Sequence, residues 1–273
     1  MVSKTEEGIV IVVTSGKGGV GKTTTVANVG ASLAKLDYKV VVLDLDIGLK
    51  KLDLILGLEN RIIYDLVQVI EGECTLRQAL VKDKRFPELY MLPAAQTRNK
   101  NEVTPDQIKH LCNQLKPQFD FIFVDCPAGI EHGFKNAIAA ADKAIVITNP
   151  EVSAVRDADR IIGILESAEF TDTKLVINRL QSELVNRGDM LSIEDLLDHL
   201  CIELLGVVPE DRNVLISTNK GEPIILNEHS NAGKAFRNIA QRLTGQKVDF
   251  LKFDDQSFWS KLKNLGRNLF NNN

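Results

Sequence analysis

The sequence predicts an α/β protein in which a doubly wound, mostly parallel sheet is covered by helices on both faces. Apolar runs of strand length alternate with helical patterns along most of the 273 residues, as in chains built from strand–helix–strand units. The runs are nearly continuous in Val and Ile, which is typical of strands buried on both faces and hence of a parallel sheet. A hydrophobic content of 44% is enough for one large core.

Seven strands are predicted, each a short apolar run with polar residues at its ends. They are Ile9–Thr14, Lys39–Asp44, Leu89–Leu92, Phe119–Asp125, Lys143–Thr148, Lys174–Asn178 and Leu204–Val208. Helical patterns fill the intervals, for example at Thr25–Lys35, Pro105–Leu115, Glu151–Ala168 and Ala232–Leu243. We therefore expect one α/β domain over residues 1–245, an acidic connector over 246–255 and a separate tail over 256–273.

A glycine-rich loop joins the first predicted strand to the first helix and reads Gly-Lys-Gly-Gly-Val-Gly-Lys-Thr. This strand–loop–helix context is what the P-loop pattern requires. Glycines let consecutive backbone N–H groups turn inward, and the helix adds its positive end. Lys22 would neutralise the β- and γ-phosphates, and the Thr23 hydroxyl would ligate Mg²⁺. The loop predicts a nucleoside triphosphate site formed by Gly16, Lys17, Gly18, Gly19, Val20, Gly21, Lys22, Thr23 and Thr24.

Carboxylates follow two further predicted strands. Asp44 and Asp46 are two residues apart, so on an extended chain both side chains point towards the crevice beyond the strand ends. Spacing alone does not rank these two residues. Asp125 follows a buried apolar run, as the Walker B aspartate does when it holds Mg²⁺ through water. Because Pro127 and Gly129 come next, that segment could reset its dihedral angles when the γ-phosphate leaves.

The second lysine of the loop, Lys17, is not part of the generic P-loop pattern. A loop with lysine there resembles the deviant Walker A family of P-loop NTPases (SIMIBI type), which includes the ParA and MinD ATPases. In that family this lysine reaches across a dimer interface to the partner's nucleotide. A cation supplied in trans would stabilise the charge that develops on the transferring phosphate. The resemblance thus implies an ATP-joined homodimer in which Lys17 and Lys22 are catalytic.

The same resemblance implies further roles. Asp46 would position the attacking water and contribute to Mg²⁺ binding with Thr23 and Asp125. Because the sequence has no N-K-x-D guanine motif, ATP is expected rather than GTP. The base would be held by Asn178, Pro209 and Asp211.

Collinear blocks along nearly the whole chain are similar to the MinD branch of this family. They are residues 46–53, 79–84, 92–98, 125–131, 149–160, 187–191 and 219–223. The resemblance implies placement of the division septum, a MinC-like division inhibitor and a MinE-like activator as partners, with Asp157 and Asp159 at docking positions. The chain has Lys50-Lys51 where MinD proteins usually have Arg-Asn, and lysine cannot replace a bidentate arginine contact. The contacts that this segment makes in the MinD branch are therefore not carried over to this chain.

The last residues, 256–273, have an amphipathic pattern. On a helical wheel that starts at Phe258, the bulky apolar residues fall within one arc of about 140°. No acid interrupts residues 256–270. This pattern is typical of a helix that lies in a membrane interface with its cations towards anionic headgroups. We expect lipid contacts from Phe258, Trp259, Leu262, Leu265, Leu269, Phe270, Lys261, Lys263 and Arg267.

The alternative is a terminal helix packed on its own domain, which the polar connector and the single tryptophan of the chain argue against. A tail of about four turns that contains Gly266 should hold lipid only weakly by itself. Two tails on one dimer gain a factor of about 10² to 10⁴ by avidity. We therefore expect ATP to drive dimerisation and membrane binding, and hydrolysis to release the protein.

Composition limits the partners and the compartment. A net charge of −4 and a pI near 5.7 give no global attraction to nucleic acid. The cysteines, which we expect to be reduced and mostly buried, and the histidines lack metal-ligand spacing. The start, MVSKTEEG, is neither a secretory signal nor a transit peptide. We expect a cytoplasmic protein, peripheral on the inner (plasma) membrane, or a chloroplast protein if it is plastid-encoded.

Three other functions are compatible with parts of the sequence. A ParA-type ATPase that partitions DNA or cargo would share the site and would bind DNA in a salt-sensitive manner. An iron–sulfur carrier needs paired cysteines at a dimer interface, whereas Cys126 has no C-x-x-C companion. A non-enzymatic anchoring module would not turn over ATP.

Overall fold

The computed structural model describes residues 7–46, 51–95, 103–130 and 132–251. Within these residues an eight-stranded sheet has the order β3-β4-β2-β5-β1-β6-β7-β8. Neighbouring strands are parallel, except that β3 is antiparallel to β4. The strands are β1 Ile9–Thr14, β2 Val40–Asp44, β3 Val81–Lys82, β4 Leu89–Leu92, β5 Phe121–Asp125, β6 Lys143–Thr148, β7 Thr173–Leu180 and β8 Glu203–Pro209.

Eleven α-helices occur in the described part of the chain. Several start with local signals; Thr104, for example, forms a capping box with Gln107 just before Pro105, the first residue of α5. The helices are α1 Lys22–Ala34, α2 Leu52–Leu56, α3 Leu66–Ile70, α4 Leu76–Ala79, α5 Pro105–Leu115, α6 His132–Ala139, α7 Val152–Ser167, α8 Ser182–Arg187, α9 Ile193–Leu200, α10 Arg212–Asn219 and α11 Asn231–Leu243. Short 3₁₀ turns cover Glu59–Arg61 and Ile224–Leu226.

The core consists of two hydrophobic clusters, one on each face of the sheet. Alternate residues of β1 belong to different clusters: Val10 and Val12 to one, Ile11 and Val13 to the other. The first cluster also takes apolar residues of α5, α6, α7 and α9, and the second takes those of α1 and α11. This arrangement confirms the predicted doubly wound sheet with helices on both faces.

Three strands and helix α5 have the predicted bounds, and the differences elsewhere have local causes. β2 starts at Val40 instead of Lys39, because the Lys39 amide donates to the Asp120 carboxylate at 2.7 Å. β5 accordingly starts at Phe121 and not at Phe119. β3 and the four- or five-residue helices α2, α3 and α4 were not predicted, because they are too short for a periodic pattern to emerge.

The described part of the connector, residues 246–251, lies on the body of the molecule. The Arg242 guanidinium of α11 donates to three backbone oxygens: those of Leu205 at 3.0 Å, Val248 at 3.0 Å and Asp249 at 2.9 Å. It also lies 4.0 Å from the centroid of the Phe250 ring. The boundary at 245 remains a prediction, and the predicted tail lies outside the described residues. No helix among the described residues is long and apolar enough to cross a bilayer.

Candidate nucleotide site at the carboxyl ends of the strands

The topology collects the predicted site residues at one edge of the sheet. β1 lies between β5 and β6, so the glycine loop that follows it leaves the middle of the sheet. Asp44 and Asp125, the last residues of β2 and β5, are paired in register. The loop and both carboxylates therefore lie together at the carboxyl ends of parallel strands, where α/β sheets bind their ligands.

The glycines of the loop are required for separate reasons. Gly19 and Gly21 have φ values of 80° and 106°, a left-handed backbone that disfavours side chains. A Cβ atom at Gly21 would also lie 2.2 Å from the amide nitrogen of Asn178, and one at Gly16 would lie 2.3 Å from the carbonyl oxygen of Asp157. The Asn178 amide donates to the Val20 carbonyl oxygen at 2.7 Å and holds the loop from behind.

A cavity of about 440 Å³ opens above the loop. Its volume lies in the range of small-molecule sites, about 300 to 1,000 Å³. Among the described residues, Asp46 lines it whereas Asp44 does not, because Asp44 is buried beneath and accepts from the Asp46 amide at 2.9 Å. The expectation that both side chains point into the crevice is therefore wrong for Asp44. The lining residues are Gly18, Gly19, Gly21, Lys22, Thr23, Thr24, Asp46, Lys51, Leu54, Ile55, Cys126, Pro127, Ala128, Arg179 and Thr218.

Lys22, the first residue of α1, brings a buried cation to the floor of this cavity. Its Nζ donates to the Ser15 hydroxyl at 2.9 Å, and its side chain is buried. Burial lowers the pKa of Lys22, while the carboxylates of Asp125 and Asp46 oppose that change. A buried ammonium that donates to a neutral hydroxyl is well placed to bind an anion such as a phosphate.

Asp125 is wholly buried beside Lys22. Burial raises the pKa of Asp125 to about 8, with a contribution from the charge of Asp44 and opposed by a hydrogen bond from Thr23. Burial likewise raises the pKa of Asp44 to about 7. One Asp125 oxygen, Oδ1, has no hydrogen-bond partner among the described residues. A buried carboxylate oxygen without a partner is costly, and it fits the predicted water-mediated contact with Mg²⁺.

The described side chains contain no cluster of three or more metal-ligating His, Cys, Asp or Glu residues. P-loop proteins need no such cluster, because a threonine hydroxyl, phosphate oxygens and water complete the coordination of Mg²⁺. Thr23 and Asp46 line the cavity, and Asp125 hydrogen-bonds with Thr23. The residues present thus fit a magnesium-bound phosphate.

Lys17 does not line the cavity of its own chain. Its Nζ lies 3.2 Å from a carboxylate oxygen of Glu151 and 3.3 Å from the Ser153 hydroxyl, at the start of α7. The pair is solvent-exposed, with 43% and 52% of the two side chains accessible, and such pairs contribute about 0–1 kcal/mol. Lys17 can therefore be displaced from this contact at little cost.

The three residues predicted to hold the base are not among those that line the cavity, and two of them make structural contacts. Asn178 bonds the loop, as described above, and Pro209 ends β8. Asp211 caps α10 and accepts from Ser230 at 2.6 Å. Burial alone would raise the pKa of Asp211, but hydrogen bonds from Ser230 and Asn213 outweigh it and keep this pKa below its ordinary value. These base-binding roles remain predictions.

The structure adds several lining residues that the motif did not include. Arg179, with a left-handed φ of 59°, and Thr218 of α10 line the cavity, and the Ser15 hydroxyl accepts the hydrogen bond from Lys22. No motif marks these positions, although Ser15 directly follows β1 and Arg179 follows a residue already assigned to the base.

The remaining predicted residues fall in three places. Asp159 is exposed on α7, whereas Asp157 is half-buried with its backbone against Gly16. Lys51 lines the cavity, while Lys50 lies outside the described residues. Of the cysteines, Cys112 and Cys126 are buried, Cys74 is half-buried and Cys201 is exposed, so the expectation of mostly buried thiols holds for two. All four are free thiols.

Comparisons with known proteins agree with this geometry. A family model of the AAA domain matches residues 8–177. The chain is 56% identical over 245 residues to the septum site-determining protein MinD of Synechocystis. The aligned region covers 89% of this chain and 92% of that protein. The structure is similar to a chain of the MinC:MinD cell division protein complex of Aquifex aeolicus, with a TM-score of 0.82 and 48% sequence identity. The match covers 90% of this chain and 99% of the A. aeolicus chain. The MinD protein of Pyrococcus horikoshii, complexed with Mg-ADP, has a TM-score of 0.78 and 29% identity, covering 86% of this chain and 95% of that one.

Proposed function

Because this chain belongs to the MinD family of septum site-determining proteins, we propose that it is a Mg²⁺-dependent ATPase that binds membranes in its ATP-bound state. The observation that carries the proposal is the floor of the cavity, where the buried Lys22 ammonium lies beside Asp125, whose Oδ1 has no partner among the described residues. A phosphate chain would give the Lys22 ammonium an anionic partner, and a hydrated divalent cation would give Asp125 Oδ1 a hydrogen-bond donor. The Mg-ADP complex of the P. horikoshii relative supports this choice of ligand.

Several residues of the chain would have distinct roles in phosphoryl transfer. The backbone N–H groups of the loop and the Lys22 ammonium would hold the β- and γ-phosphates and stabilise their charge. Thr23, Asp46 and Asp125 would hold Mg²⁺, which would neutralise the charge that develops on the phosphate oxygens. Asp46 lines the cavity, and we assign to its carboxylate the orientation of the attacking water.

Lys17 supports a dimeric mechanism. Its side chain is exposed and, among the described residues, makes only the weak contact with Glu151 and Ser153. In a pair of chains that face each other across their nucleotides, Lys17 would leave this contact and reach the partner's γ-phosphate, as an arginine finger does. ATP would thus be part of the interface, and hydrolysis would separate the pair.

The tail would convert this pairing into membrane binding. Residues 256–273 would lie in the lipid interface by the aromatic and leucine side chains named above, with their cations on anionic headgroups. Because one tail binds weakly, only the paired chains would stay on the membrane. We place the protein in the cytoplasm and on the inner face of the plasma membrane, with a chloroplast as the alternative.

The biological role would be placement of the division septum. MinD of A. aeolicus is known in a complex with MinC, so a MinC-like division inhibitor is the partner that we propose for the dimer. A MinE-like activator would stimulate hydrolysis. Asp159 is exposed and able to contact a partner, whereas the half-buried Asp157 also packs against the loop.

Hydrolysis and mass measurements test this proposal. The purified chain should release phosphate from ATP in the presence of Mg²⁺, with a rate per chain that rises with protein concentration as dimers form. Light scattering should give the mass of two chains with a non-hydrolysable ATP analogue and of one chain with ADP. Deletion of residues 256–273 should leave both results unchanged while removing vesicle binding. A monomer under all nucleotide conditions would contradict the dimeric mechanism.

A further inference from the structure

Two walls of the nucleotide cavity meet at a pair of glycines. Leu54 and Ile55 of α2 line one wall and Thr218 of α10 lines another. Gly57 ends α2 with a φ of 58°, and Gly221 follows α10 with a φ of 65°. A Cβ atom on Gly57 would lie 2.6 Å from the Gly221 carbonyl oxygen, and one on Gly221 would lie 2.8 Å from the Gly57 Cα. The two backbones are therefore in direct contact, and neither position has room for a side chain.

One guanidinium joins the same two segments. Nη1 of Arg85, from the loop between β3 and β4, donates to the Gly221 carbonyl oxygen at 2.8 Å, and Nη2 donates to the Leu56 carbonyl oxygen at the end of α2. The contact with Leu56 satisfies one of the carbonyl groups that the end of a helix leaves without partners. The planar fork of arginine can bind two acceptors at once, which the single ammonium of lysine cannot do with the same geometry.

A buried carboxylate fixes the direction of that guanidinium. The Asp83 side chain is fully buried and accepts from Arg85 Nη2 at 2.9 Å. The same carboxylate also accepts from the backbone amides of Arg85 at 2.6 Å and Phe86 at 3.3 Å. Because Asp83 is locked to its own loop, the Arg85 side chain is pre-set towards the two walls.

We propose that Arg85, Gly57 and Gly221 form a positioning joint that sets the distance between the two walls of the nucleotide cavity. We call it the wall joint. The proposal rests on the proposed nucleotide site. One wall follows the segment that bears Asp46, and the other belongs to α10, whose cap is Asp211. The joint would thus keep the phosphate end and the base end of the site at a spacing that fits one nucleotide. Arg85 itself does not line the cavity, so it acts through the walls.

Two substitutions break the wall joint in different ways. Arg85→Lys keeps a cation beside Asp83 but loses the double contact with Leu56 and Gly221. Gly221→Ala leaves Arg85 in place and forces the two backbones apart. Gly72→Ala is the matched control, because Gly72 has a similar φ of 76° and open space around it. The exposed arginine of α4 provides the second control, Arg77→Ala.

The measurement is titration of each full-length variant with a fluorescent ADP in the presence of Mg²⁺, together with the dependence of hydrolysis on ATP concentration. Thermal unfolding without nucleotide identifies the temperature at which every variant is folded. We expect Gly221→Ala and Arg85→Lys to bind nucleotide on the order of tenfold more weakly, because small misplacements of binding groups are costly. KM should rise by a similar factor with little change in kcat, as expected when the ground state and the transition state lose the same binding energy. Both controls should bind like the unmodified protein.

The outcomes separate this inference from the proposed function. If the unmodified chain binds nucleotide and Lys22→Ala does not, while folded Arg85→Lys binds as tightly as the unmodified chain, the wall joint is wrong and the ATP site stands. The same conclusion follows if Gly221→Ala is no weaker than Gly72→Ala. If the unmodified chain does not bind nucleotide at all, the proposed function fails, and the inference fails with it.

Discussion

The charged side chains at the two edges of the sheet differ in burial. At the amino-terminal edge, lysines and carboxylates lie at the surface in pairs: Lys116 with Asp142 at 2.8 Å, and Lys143 with Asp172 at 2.6 Å. At the carboxyl edge, Lys22, Asp44 and Asp125 are buried and their pKa values are displaced. The sheet thus has partly exposed ion pairs at one edge and buried charged groups at the other, where Asp125 Oδ1 has no hydrogen-bond partner among the described residues.

The difference indicates that buried charges at the carboxyl edge lower the stability of the ligand-free protein and favour ligand binding. Exposed ion pairs contribute about 0–1 kcal/mol each and leave nothing for a ligand to satisfy. Buried groups that lack partners cost about 1–3 kcal/mol each, which a bound ligand can recover. We therefore expect substitutions at the carboxyl edge to alter binding and catalysis, and those at the amino-terminal edge to alter little.

The largest effect is expected for Lys22→Ala. Removal of the buried ammonium should weaken ATP binding about 100-fold or more, because charge-assisted contacts with phosphate oxygens are lost in a desolvated site. Isothermal calorimetry with Mg-ATP measures this change. Lys35→Ala, at the exposed far end of the same helix, is the control and should bind normally. If Lys22→Ala bound Mg-ATP as tightly as the unmodified protein, the buried groups of the carboxyl edge would not be needed for binding, and the contrast between the two edges would have no functional meaning.

Lys17→Ala should separate binding from catalysis. Because Lys17 does not line the cavity of its own chain, the affinity for ATP should change less than about threefold, whereas kcat should fall about 100-fold if the lysine acts in trans. Steady-state phosphate release across a range of ATP concentrations gives both values. Glu151→Gln, which removes only the contact within the chain, should keep most of the activity. A Lys17→Ala enzyme with unchanged kcat would show that Lys17 is a surface residue.

The buried carboxylates should make the nucleotide-free protein less stable at alkaline pH. In the folded chain the pKa of Asp125 is raised to about 8 and that of Asp44 to about 7, from ordinary values of 3.8. The folded state therefore holds protons that the unfolded chain releases, so their contribution to stability is full below 3.8 and is lost as the pH rises through about 8. Urea unfolding of the unmodified protein should show this decline.

Asp125→Asn provides the comparison for that measurement. This variant should flatten the decline and gain about 1–3 kcal/mol of stability at alkaline pH relative to the unmodified protein, since no charge is buried. It should also lose Mg²⁺-dependent hydrolysis. If the free energy of unfolding had the same pH dependence in the two proteins, ionisation of Asp125 would not destabilise the folded state, and the prediction would be wrong.

The smallest effect is expected at the other edge. Lys143→Ala removes one partner of a half-exposed pair, so the free energy of unfolding should change by less than about 1 kcal/mol, and hydrolysis should not change. Urea unfolding and phosphate release measure both. A loss of activity would indicate that the amino-terminal edge takes part in function.

The sequence was most informative where the signal is local. The strands at Ile9–Thr14, Leu89–Leu92 and Lys143–Thr148 have the predicted bounds, and Lys22 and Asp46 lie at the predicted edge of the sheet. The alternation of side chains along an ideal strand predicts that Asp44 points into the crevice. In the structure Asp44 is paired with Asp125 of the neighbouring strand and is buried.

Contacts between distant segments could not be predicted. The bond from Arg85 to Gly221 spans 136 residues, and no periodicity or motif relates the two positions. Asn178 was assigned to the base, and only the folded structure places its amide against Val20, 158 residues earlier in the chain. The wall joint and the support of the loop therefore emerge from the topology of the sheet and not from local pattern.

The most direct test of the whole account is sedimentation of the unmodified protein with vesicles that contain anionic lipids, in the presence of ATP, of ADP or of no nucleotide. If the carboxyl edge controls the tail by joining two chains, the fraction that pellets with ATP should correspond to an affinity about tenfold or more above that with ADP. Equal sedimentation under the three conditions would contradict the proposed coupling between the nucleotide and the membrane.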